Sequence, residues 1–184
     1  GFGLPASGFL RSFLTFHRLQ PHHLTPNMMV LLWAFVTLCE GYLGILPTLE
    51  LWGAFFYTKL GTSAKEEAAQ CGAFIVVRRL GARYAFPAIK LIQSVKLWQK
   101  SYLYVKDVNP AIDFTNLPEY VAGAPAEPRT NWGFKLKPLS PDASTAIARL
   151  KVMKESEGLK ASDLLVAFVV CRILPLQRRP HMMS

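Results

Sequence analysis

Residues 28–46 read MMVLLWAFVTLCEGYLGIL, and how this run is read decides the fold. These nineteen residues are just enough to cross the apolar layer of a bilayer. A helix buried in a protein core asks for the same apolar character. Glu40 lies inside the run with Thr37, Gly41 and Gly44, and no cluster of Lys or Arg flanks either end. A carboxylate near the middle of a span costs about 2.5–3.5 kcal/mol on insertion. The run is therefore expected to be a core helix ending at Gly-Tyr-Leu-Gly, and no membrane partner is expected.

The residues just before it, LQPHHLTPN (19–27), set its start. Thr25 sits where an N-cap belongs, and the fixed φ of Pro26 suits the first helical position. Pro21 ends whatever precedes, which leaves His22 and His23 in the turn. A histidine site needs further ligands or a base–nucleophile arrangement, and none stands nearby, so the two histidines read as turn residues. Upstream, SGFLRSFLTFHRL (7–19) places Phe9, Leu10, Phe13, Leu14 and His17 on one side of a helix that Ser7 can cap.

Downstream, LPTLELWGAFFYTKLG (46–61) reads as a helix opened by Pro47 or Thr48 and stopped by Gly61. Its apolar stripe is Leu49, Trp52, Phe56 and Leu60. The pattern then turns β-branched and aromatic, and AFIVVRR (73–79) and SYLYVKD (101–107) read as strands. Prolines 110, 118, 125, 128 and 138 interrupt the chain from 109 to 140. Ser140-Pro141-Asp142 opens another helix, with Ala146, Ile147, Leu150 and Met153 as its stripe and Gly158 as its stop. In KASDLLVAFVVCRIL (160–174) Ser162 is a candidate cap, and the run is apolar nearly all round. It is expected to be buried, as a helix or, given its β-branched content, a strand. Pro175 should stop it before the basic tail LQRRPHMMS.

The expected fold class is mostly α with a small β-sheet (α+β): an N-terminal helical core, central strands and a C-terminal helical pair. Residues 1–108 form the core plus sheet, 109–140 a Pro-rich linker, and 141–184 the helical pair and tail. At 184 residues with 51% apolar and 18% charged side chains, the chain can bury a sizeable core. The first residue is Gly1 rather than Met, as expected of a fragment. Cys39, Cys71 and Cys171 stand far apart in apolar or small-residue surroundings. That spacing holds no zinc and implies no disulfide framework, so buried free thiols are expected.

Net charge is +9, and +6 of it falls in residues 65–106. Within that segment, basic and aromatic side chains alternate. Cations that pair with phosphates and rings that stack on bases are what single-stranded nucleic acids require. The candidate contact residues are Arg78, Arg79, Arg83, Lys96, Trp98, Lys100 and Lys106. Acid–base catalysis has little to work with. The twelve carboxylates fall mostly in loops or on exposed helical positions, and the sequence holds no Gly-rich phosphate loop, GxSxG or HExxH. No catalytic residue, cofactor or metal is expected.

Five stretches carry a resemblance: GFGLPASGFLRSFLTFHRLQPHHLTPN (1–27), AFVTLCEGYLGILPTLELW (34–52), CGAFIVV (71–77), KLWQKSYLYVKD (96–107) and CRILPLQRRPHMM (171–183). Together they resemble the plant gypsy-type transposon domain, found in transposon-derived reading frames of grass genomes. The resemblance covers most of residues 1–110 and the C-terminal stretch, and it implies a mobile-element origin without supplying an active site. Protease Asp-Thr-Gly, polymerase Tyr-x-Asp-Asp, integrase His/Cys and nucleocapsid CCHC patterns do not occur. The expected role is a non-catalytic, intracellular (nuclear or cytoplasmic) domain that binds nucleic acid or another protein of the element. The alternative is a self-assembling, capsid-like module using apolar helix faces around Trp52 and Phe56.

Overall fold

The computed structural model describes residues 7–60, 74–79, 86–90 and 138–177. Helix α1 (Gly8–His17) starts where Ser7 Oγ accepts from the Leu10 N–H at 3.2 Å. It buries Phe9, Leu10, Phe13, Leu14 and His17, the stripe its spacing predicts. Arg18 ends it in the left-handed conformation, three residues ahead of Pro21.

A single 3-10 turn, Pro21–His23, holds both histidines. The Gln20 N–H donates to His23 Nδ1 at 3.0 Å, and the two imidazole rings lie 4.1 Å apart. Helix α2 (Pro26–Thr37) then begins as expected, with Thr25 Oγ1 accepting from the Met28 N–H at 3.2 Å. It runs on as a π-helical turn, Leu38–Leu43, and Gly44 closes it at φ +66°. Met28, Leu31, Leu32, Ala34, Phe35, Val36, Leu38, Cys39 and Leu43 are buried, so the decisive run is a core helix. By length and hydropathy Pro26–Leu43 could also cross a bilayer, and half of that window is buried inside the protein.

Helix α3 (Leu49–Phe55) is capped by Thr48 and is shorter than its stripe suggests. At Phe56 the backbone turns extended, and Phe56–Leu60 is strand β1. Phe-Tyr-Thr favours a pleated surface, and an antiparallel partner is at hand in strand β2 (Phe74–Arg78). Phe56 faces Arg78 and Leu60 faces Phe74 in the register. The side chains of Phe56, Thr58 and Phe74 point to the core; Phe74 also bridges in parallel to Leu24. The second strand read from sequence, residues 101–107, lies outside the described residues.

Helix α4 (Pro141–Ser156) uses Ser140 as cap and Pro141 as first residue, and it buries Ala143, Ala146 and Leu150. Helix α5 (Ala161–Phe168) continues through a π-helical turn (Val169–Ile173) into the short helix α6 (Leu174–Gln177). Three sequence expectations need correction here. The cap residue is Lys160, not Ser162, because the Asp163 carboxylate reaches back to accept from the Lys160 N–H at 2.8 Å. Pro175 does not stop the helix: helical backbone runs on to Gln177, with the Leu174 N–H just before it bonded to the Val169 carbonyl. Nor is the run buried, since among its apolar residues only Leu164 is enclosed within α5.

One hydrophobic cluster joins both ends of the described chain. Trp52 stands at its centre, 4.5 Å from the Phe56 ring, 5.2 Å from Phe35 and 5.4 Å from Phe13, centroid to centroid. Ala143, Ala146, Leu150, Leu159 and Leu164 from the C-terminal helices belong to the same cluster. Polar ties reinforce the contact. Ser140 donates to the Glu50 carboxylate through its N–H (2.6 Å) and hydroxyl (2.9 Å), and Arg149 Nη1 donates to the Leu43 carbonyl at 2.9 Å. The Tyr42 hydroxyl donates to the Asp163 carbonyl at 3.2 Å, Phe168 stacks on Trp33 at 5.3 Å, and Arg172 pairs with Glu40.

Candidate functional site

In a strand, alternate side chains point to opposite faces, so the adjacent arginines at the end of β2 part company. Arg78 is drawn across the fold, and its Nη2 donates to the Pro87 carbonyl at 3.0 Å. Arg79 follows the outward side. Its Nε donates to the Gly53 carbonyl at 2.6 Å, and its guanidinium carbon lies 5.6 Å from the centre of the Tyr57 ring. Partial burial lowers the pKa of Arg79, with the Tyr57 hydroxyl acting in the opposite direction.

Tyr57 pairs with Val77, and Lys59 pairs with Ile75. These four side chains form the outer face of the ribbon, with Lys59 and Ile75 exposed and Tyr57 and Val77 half-buried. The outer face thus offers an aromatic ring, a guanidinium over it and a lysine two residues along. Sequence reasoning missed Tyr57 and Lys59 because it put both in a helix. The run Phe-Phe-Tyr-Thr was the available signal for a strand. Arg83, Lys96, Trp98, Lys100 and Lys106 lie outside the described residues; Arg78 and Arg79, the described members of the candidate set, lie on opposite faces of the ribbon.

A groove of about 380 Å³ opens between the segment after α2 and the first turns of α4. Leu43, Leu46, Thr48, Glu50, Asp142 and Arg149 are among its walls. Glu50 and Arg149 are already engaged in holding α4 to the core.

The buried titratable groups are structural in their setting. His17 Nδ1 donates to the Phe13 carbonyl at 2.9 Å, which fixes Nδ1 as the protonated nitrogen of a neutral ring. Burial lowers its pKa to about 4, against a smaller opposing effect of that carbonyl. His22 is also lowered to about 4, by burial first and by the charge of His23 second. Burial, followed by the Glu40 charge, pushes the Cys39 thiol up to about 12, far from reactivity at neutral pH. Cys171 is exposed, contrary to expectation, because the π-helical turn that carries it stands clear of the core; Cys71 lies outside the described residues. Among the described residues, no three His, Cys, Asp or Glu side chains are grouped to hold a metal ion.

The surface proposed from sequence for self-assembly is not available. Trp52 and Phe56 are both 1% exposed, at the middle of the aromatic core. The exposed apolar side chains are elsewhere, with Val166, Val169, Val170 and Leu174 gathered on the C-terminal helix.

Residues 1–60 match a family model described as "Putative gypsy type transposon". The match covers α1, α2, α3 and β1, about a third of the chain, and it supports a transposon-derived domain there. No curated protein and no solved structure matches the chain.

Proposed function

We propose that this chain is a non-catalytic binding domain of a transposon-derived protein and that its ligand is single-stranded nucleic acid. The observation that carries this reading is the outer face of the β1–β2 ribbon, where Arg79 covers the Tyr57 ring and Lys59 stands exposed beside them. An aromatic face stacks on any base, while cations pair with the phosphates on either side. The segment 65–106, within which β2 lies, has a net charge of +6. Such a field speeds encounter with a polyanion. Arg78 stands apart from this set, on the opposite face of the ribbon beside Phe56. A protein of the same element is the other partner class that fits a transposon-derived domain.

Fluorescence anisotropy with a labelled single-stranded oligonucleotide tests the reading. Affinity should fall steeply as salt rises, with a logarithmic slope of about −0.7 per phosphate contacted. Tyr57→Ala should weaken binding by roughly 1–3 kcal/mol if one base stacks there, and Lys59→Glu should weaken it and flatten the salt slope. Absence of binding at low salt would remove nucleic acid as the ligand.

A further inference from the structure

We infer that the outer face of the ribbon selects purine bases, one at a time, stacked on the side of Tyr57 that Arg79 leaves open, with Arg79 positioning the ring. This rests on the reading of that face as a platform for single strands, and it narrows the ligand. Arg79 is tied twice to the end of α3. Its N–H donates to the Phe55 carbonyl at 2.8 Å and its Nε to the Gly53 carbonyl at 2.6 Å. These two bonds keep the guanidinium over one face of the Tyr57 ring, its carbon 5.6 Å from the centre. A base cannot enter on that side. A single open ring face stacks a single base, where a row of aromatic rings would stack successive ones.

The register decides what lies around the open side. Arg79 stands at the α3 end of the ribbon, and Lys59 and Ile75 form the next outward pair beyond Tyr57 and Val77. Ile75 is 38% exposed and Val77 half-buried, so aliphatic surface continues the platform past the edge of the ring. A bicyclic base covers more of that surface than a single ring does, and apolar contact strengthens with area. The cation favours the same class. A guanidinium draws on the π-electrons of Tyr57, and a ring so polarised stacks best against an electron-rich base, as purines are. Lys59 is exposed beyond the ring, without a partner among the described residues, and supplies the phosphate contact.

The test uses the whole 184-residue chain and abasic strands of equal length, each carrying one adenine, guanine, cytosine or thymine, so that the bases cannot stack on one another. Fluorescence anisotropy at low salt should give dissociation constants lower by roughly threefold or more for the two purine strands. Tyr57→Leu keeps apolar volume on the strand and should bring all four strands to one affinity. Arg79→Lys keeps the charge but loses the planar fork. It should shrink the purine preference and leave the salt slope unchanged, whereas loss of a merely structural residue would weaken the four strands alike. Lys59→Gln, at an exposed position, should weaken all four equally with the preference intact. Equal affinities for purine and pyrimidine strands, or a pyrimidine preference, would overturn this inference while the platform stands, provided Tyr57→Leu still weakens binding. Strands bound equally well by the native chain and Tyr57→Leu would overturn both readings.

Discussion

Arg172 and Glu40, 132 residues apart in sequence, form an ion pair that joins two π-helical turns. Their side chains are 60% and 33% exposed, and water screens a pair so open. Arg172→Ala should therefore cost no more than about 1 kcal/mol. The stack of Phe168 on Trp33, beside the same contact, removes apolar area from water. Phe168→Ala should cost more, toward the lower part of the roughly 3–5 kcal/mol range for core aromatics, because Phe168 is only half-buried. Urea unfolding of the two variants gives the comparison. An ion-pair variant less stable than the aromatic one would show that charge, not packing, holds the C-terminal helix to α2.

The depressed pKa of His17 sets an acid limit on stability. Its folded value of about 4 lies below the ordinary 6.5, so the unfolded chain takes up the proton first as pH falls. Stability from this residue is complete above about pH 6.5 and declines as pH drops toward 4, by at most roughly 3 kcal/mol. His22 is shifted in the same direction and adds to the trend. Urea midpoints at pH 7 and pH 5 should differ for the native chain and differ less for His17→Gln. An equal pH dependence in both would mean that another group titrates.

Local chemistry was legible in the sequence wherever it is short-range. Ser7, Thr25, Thr48 and Ser140 cap helices because a side-chain oxygen needs only an N–H three residues on. The end of α3 was not legible, since Phe56 and Leu60 extend the helical stripe of Trp52 and equally fit the alternation of a strand. Only the distant partner at Phe74–Arg78 decides between the two. Arg78 and Arg79 form one basic dipeptide on paper but occupy two faces of a ribbon, Arg78 bonded to the Pro87 carbonyl and Arg79 to that of Gly53. The apolar run 160–174 showed what could be buried. Whether a neighbouring surface exists to bury it depends on the rest of the fold.

Trp52 tests how much the aromatic centre contributes. Its ring lies within 6.1 Å of the Phe9 centroid and nearer to those of Phe13, Phe35 and Phe56. Trp52→Ala should cost about 3–5 kcal/mol, a large part of the roughly 5–15 kcal/mol available to a typical domain. Trp52→Phe should cost much less. The indole N–H is buried without a hydrogen-bond partner among the described residues, and removing it offsets part of the lost volume. Thermal unfolding followed by circular dichroism distinguishes the two outcomes. A Phe variant as unstable as the Ala variant would show that Nε1 has a bond worth keeping.

Gly44 and Gly53 should respond in opposite ways to the same added methyl group. A Cβ at either position meets no heavy atom within 4 Å, so space does not separate them; backbone conformation does. Gly44 closes α2 at φ +66°, where an L side chain is strained by about 1–2 kcal/mol, so Gly44→Ala should destabilise by that amount. Gly53 lies within α3, where alanine favours the helix by about 0.5–1 kcal/mol. Gly53→Ala should therefore stabilise, leaving the carbonyl that receives Arg79 undisturbed. Chemical denaturation of both variants under one buffer gives two signed differences. Loss of stability in Gly53→Ala would mean that the Arg79 contact depends on the bare glycine, and an unchanged Gly44→Ala would place the end of α2 outside the left-handed region.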